Sequence, residues 1–166
     1  MFKSPCSDIS MKGSMEKKDV DELIGRLKNP AIENMKSQKG LMPVAIIPDP
    51  AGEKIIGIPN FDNETKPVAL RAVGSMVSDG VILIVDSWVN ICEKHKLKRP
   101  MDMPVDDRSQ AIVISWFDLA GGGKGNRTLM IMYSSSKKII SEEYFDSGEG
   151  GLFDYLMGGY LSSHQS

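Results

Sequence analysis

The sequence predicts an α+β domain: a mostly antiparallel sheet of about six strands with two helices packed on one face. Three observations carry this expectation. Strand-like apolar runs cluster, and the last three are joined by hairpin-type loops rather than by helices. Two stretches place apolar residues at helical spacing. The chain has 166 residues, 41% hydrophobic and 25% charged, which is ordinary for one globular domain with a sizeable core.

Residues 1–18 are polar and without periodicity, so the reading is a leader or tail ahead of a single domain over residues 19–166. Asp19 and Glu22 stand at capping-box spacing, and Val20, Leu23, Ile24 and Leu27 form an apolar face. Asn29-Pro30 is expected to interrupt that helix, with a short further turn through Ile32 and Met35. Pro43–Ile47 and Ile55–Ile58 read as two strands of a hairpin around Pro48–Gly52. Asp62–Thr65 supplies cap residues and Pro67 a first turn. The stripe Val68, Ala69, Ala72, Val73, Met76 and Val77 then predicts the second helix, ended by Asp79-Gly80.

Val81–Val89 is nearly continuous apolar and β-branched, the pattern of a central strand covered on both faces. A long polar connection runs from Ile91 to Ser109. Ala111–Phe117, Thr128–Tyr133 and Ile139–Phe145 follow as strands, and a short apolar stretch, Leu152–Met157, comes after a Gly-rich break.

The segment from Ser78-Asp79-Gly80 through the strand to Trp88, then Arg99-Pro100, Asp106-Asp107-Arg108 and the strand from Ala111 resembles an uncharacterised family of small bacterial and phage-encoded proteins. The likeness covers residues 68–134. It implies a fold unit of helix, strand ending in Trp, Arg-Pro loop and second strand, and it supplies no activity.

Several chemistries lack their residues. Cys6 and Cys92 form neither a disulfide framework nor a paired zinc motif, and His95 and His164 are far apart. No cofactor or metal is therefore expected. A net charge of −2 argues against a dedicated nucleic-acid binder. No apolar run approaches the length of a membrane span and no signal sequence is read, so the expected setting is the cytoplasm without a membrane. A basic run, Lys94 to Arg99, faces in sequence an acidic end holding Glu142, Glu143, Asp146, Glu149 and Asp154. The two are read as solvated surfaces, with mutual pairing as the sharper alternative.

Gly121–Asn126 invites a phosphate-loop reading, but Lys124 is followed by Gly125 and then by a strand, so a hairpin loop is expected. Three strands end in or carry Asp: Asp49, Asp86 and Asp118. An acidic site drawn from Asp86, Asp106, Asp107, Glu142 and Glu143 would suit metal-dependent hydrolase or nuclease-like chemistry. The Ile91–Ser109 connection is long enough to be functional. It leads to the expectation that Trp88, Arg99, Asp107 and Arg108 border the principal cleft or a subunit interface. Met130 and Met132 suggest a partner-facing strand.

The sequence assigns no activity. Its leading expectation is a small accessory or binding protein, of phage or mobile-element derivation, that is not an enzyme and acts through protein association, including self-association as a homo-oligomer through a sheet edge or Met-rich surface. The alternatives are the acidic-cluster enzyme and a small-ligand (nucleotide) sensor.

Overall fold

The computed structural model describes residues 16–37, 40–49, 51–59, 61–90, 108–147 and 151–164, with the backbone alone at 88–90 and 108–109. Its elements run in the order α1 (Lys17–Lys36), β1 (Val44–Ile47), β2 (Lys54–Gly57), α2 (Lys66–Gly74), β3 (Gly80–Asn90), β4 (Arg108–Asp118), β5 (Arg127–Tyr133), β6 (Ile139–Asp146) and α3 (Leu152–Ser163). The six strands form one sheet in the order β2-β1-β3-β4-β5-β6, and every neighbouring pair is antiparallel. The class is α+β, as the clustered strands predict.

The helices do not share a face. Strand alternation sends Ile82, Ile84, Ile112, Ile114, Leu129 and Ile131 to α1. Val81, Leu83, Val85 and Phe117 point the other way, onto α2 and α3. The expectation of two helices on one face is thus corrected to three, with α1 on one side and α2–α3 on the other. The doubly apolar β3 requires this, since each of its faces needs cover.

α1 begins at Lys17, two residues before the expected Asp19, and runs unbroken through Pro30 to Lys36, so the break expected at Asn29-Pro30 is corrected. Pro30 removes one N–H donor from the ladder, but the buried face continues across it through Leu27, Ala31 and Met35 at four-residue steps. Tertiary burial therefore outweighs the missing bond. The N-terminal half is tied to the sheet by Arg127, whose guanidinium donates to Asp21 at 2.7 and 3.0 Å and to Asp146 at 3.1 Å.

The α2 stripe is also corrected. Leu70, Val73, Gly74 and Val77 are buried, whereas Val68 and Met76 are 68% and 46% exposed. α2 packs on the sheet and on α3 simultaneously. Gly74 and Gly159 permit this: a Cβ on Gly74 would collide with the Leu156 backbone, and one on Gly159 with the Arg71 carbonyl. The Leu152–Met157 stretch is the start of α3, a helix that the Gly-Gly pair at 158–159 obscures in the sequence.

Candidate functional site

Two features could host chemistry: the strand-end acids and an apolar groove on the α1 side of the sheet.

Asp118, at the end of β4, is buried. Its carboxylate accepts the Gly121 and Gly125 N–H groups, each at 3.1 Å. Its own N–H donates to Asn126 Oδ1 at 2.7 Å. The hairpin loop thus closes around an acid, and two of the amides that a phosphate would need already bind that acid. Gly121 and Gly125 are required there because a Cβ at either would run into the Asp118 carboxylate. Asp118→Ala is expected to cost about 2 kcal/mol, since it strands two partly buried donors of charge-assisted bonds. Chemical denaturation would measure this, and a loss under about 1 kcal/mol would show that the loop holds itself. Asp49 is a turn acid that accepts the Ala51 N–H at 2.8 Å.

Asp86 differs from both. It lies on the α1 side of β3, and both carboxylate oxygens lie within 2.7 Å of the Tyr133 hydroxyl on β5. Burial holds its carboxyl above the ordinary carboxylate range, against the opposing effects of the Tyr133 hydrogen bond and the Lys137 charge. Burial, then donation to Asp86, likewise raises the Tyr133 hydroxyl. Because the native state holds the Asp86 proton more tightly than the unfolded chain, this group favours folding most at low pH. That contribution falls as pH rises from 3.8, the ordinary value, through the raised native pKa. Asp86→Asn is expected to flatten this decline in melting temperature. An unchanged pH profile in the variant would contradict the assignment.

The other candidate acids do not gather around Asp86. Asp86, Ile112, Ile131 and Glu142 occupy one row across four strands, which separates the two carboxylates by roughly 14 Å. Glu142 pairs with Lys28 of α1 at 3.1 Å. Alternation puts Glu143 on the opposite face. Asp106, Asp107 and Arg99 lie outside the described residues, as does the basic run 94–99. Trp88 pairs with Gln110 and Asn90 with Arg108, so the backbones of Trp88 and Arg108 share one end of the β3–β4 ladder. Among the described residues no group of three or more His, Cys, Asp or Glu could hold a metal ion, and no helix is long and apolar enough to cross a membrane.

The groove arises from a mismatch in cover. α1 makes its close approach to β4 and β5, which leaves the same face of β1 and β2 partly open. The resulting space is about 650 Å³, within the range of small-molecule sites. Its floor is Val44, Ile46, Ile55 and Ile84 of the sheet, and one wall is Leu27, Pro30, Ala31 and Asn34 of α1. Leu41 and Met42 close the end beside Ser37 and Gly40. Ile55 and Met42, both lining this space, are 63% and 51% exposed. Asp86 follows Ile84 by two residues on the same strand, so the acid stands next to this end of the groove. Sequence reasoning missed Met42, Asn34 and Tyr133. Only the exposed alternation of Ile55 on a short strand hints at the groove from sequence.

No family model, no curated protein and no solved structure matches this chain, so the geometry carries the functional reading.

Proposed function

We propose that the protein is a cytoplasmic binding module that takes up a small, largely apolar ligand in the groove between α1 and strands β1–β3. The observation that carries this is an apolar concavity of about 650 Å³ whose floor continues the buried sheet core but lacks helix cover. Among the described residues its lining contains no charged side chain and no aromatic ring, which disfavours a nucleotide as the occupant.

The test uses N-phenylnaphthylamine, a neutral dye that brightens in apolar sites. The wild type should bind it saturably. Met42→Asp combined with Ile55→Asp should abolish the signal, with stability changed by less than about 1 kcal/mol because both side chains are exposed. Equal dye binding by the folded double variant contradicts the assignment.

A second reading, self-association, is favoured by one observation: β2 is an edge strand with an exposed Ile55, and such edges can pair with another chain. Sedimentation should then show a dimer that the Ile55→Asp variant loses. A wild type that stays monomeric at high concentration removes this reading and leaves the groove untouched.

A further inference from the structure

We propose that a second copy of this chain completes the groove: the β2 strands of two copies pair antiparallel about a two-fold axis at Ile56, and the partner's Ile55 and the partner's Met42 carry the groove floor onward. The proposal rests on the self-association reading, and adds the register and a part for the partner in the site.

The backbone sets which groups the edge offers. Ile58 donates its N–H to the Pro43 carbonyl at 2.8 Å, and the same register continues through Gly57 opposite Val44 and Ile55 opposite Ile46. Antiparallel bonding alternates, so Ile56 and Ile58 bond to β1, whereas Ile55 and Gly57 turn their N–H and C=O groups outward. Among the described residues β1 is the only strand beside β2, which leaves those groups for another strand.

Charge and shape select the edge and the register. β6, the other edge strand, opposes self-pairing: an axis near its middle sets Glu142 or Glu143 across from itself, and like charges directly opposite destabilise a pair. On β2 an axis at Ile56 sets no charge across from a like charge. Ile55 then forms a hydrogen-bonded pair with the partner's Gly57, and Gly57 with the partner's Ile55. Gly57 has no side chain, and the end of Met42 packs where its Cβ would be. Ile55 therefore meets the partner's Met42, and Met42 the partner's Ile55, so the two exposed side chains of the groove cover each other across the axis. An axis at Ile55 would leave Gly57, with Met42 on it, beyond the end of the partner's β2.

Cysteine cross-linking reads the register in the full chain carrying Cys6→Ser and Cys92→Ser. Ile56→Cys sets two thiols directly opposite, with Cβ atoms about 4.5 Å apart, and oxidised glutathione should link the copies. Ile55→Cys sets them on a diagonal about 7 Å apart, beyond disulfide reach, and should stay unlinked. The linked Ile56→Cys dimer should bind N-phenylnaphthylamine at least about tenfold more tightly than the same variant reduced and diluted to monomer. The wild type, titrated with the dye above and below its dimerisation concentration, gives that comparison without a substitution. Linking through Ile55→Cys instead, or equal dye binding by dimer and monomer, overturns the proposal and leaves self-association standing. A dimer that neither folded variant links has its interface away from β2 and overturns both. A wild type that stays monomeric in sedimentation also removes both, and the groove then stands alone.

Discussion

Gly159→Ala is expected to destabilise the protein by more than about 2 kcal/mol, and Gly158→Ala, one residue earlier, to be neutral or to stabilise it by up to about 1 kcal/mol. A Cβ on Gly159 would fall on the Arg71 carbonyl of α2, whereas one on Gly158 would find its nearest neighbour, Arg71 Nε, at 3.9 Å. Backbone cannot rotate away as a side chain can, so relief at Gly159 requires α2 and α3 to move apart and to loosen the layer holding Leu70 and Leu156. At Gly158 only the intrinsic helix preference for alanine remains. Urea denaturation of both variants checks the pair. Similar effects at the two positions would mean that the helices do not touch through Gly159.

The second large effect is Val73→Asp, which should unfold the domain or cost about 4 kcal/mol or more. Val73 is 3% exposed, between α2 and the sheet, and the described cluster around it is apolar. A carboxylate there would lose water without gaining a donor. Val68→Asp, in the same helix, should shift stability by no more than about 0.5 kcal/mol, because Val68 is 68% exposed. Thermal melts followed by circular dichroism decide this. A cooperative, wild-type-like melt for Val73→Asp would place the buried face of α2 elsewhere.

Those two valines show what the sequence can and cannot reveal. Strands are legible because period-two alternation and β-branched runs are local: β3, β4, β5 and β6 fall within three residues of their sequence-predicted bounds. The central place of β3 is legible too, as its unbroken apolar run needs cover on both faces. The assignment of helices to faces is less so, because it depends on where a crossover returns. Helix faces fail where glycine does the packing. The stripe through Val68 and Met76 counts apolar letters, but α2 buries Leu70, Val73 and Gly74. A glycine that admits a neighbouring backbone has no hydrophobic signature. Pro30 misleads in the opposite direction, since its local penalty is real but smaller than the burial on either side.

The site was less legible still. Asp86 stands out as a charge inside an apolar run, yet its partner Tyr133 is 47 residues away and meets it only because β4 separates their strands. Asp118 looks like a strand-end acid of the same kind, and only the fold shows its carboxylate occupied by the amides of its own loop. The groove is invisible to periodicity because it is made by what α1 fails to cover.

The account turns on the groove, and the most direct measurement is an amide chemical-shift map of the labelled protein titrated with N-phenylnaphthylamine. The shifts should concentrate on Ala31, Asn34, Val44, Ile46, Ile55 and Ile84, which share one space although they come from α1 and three strands. Shifts centred on α2 and α3 or on the Gly121–Asn126 loop, or no saturable shifts, would contradict it.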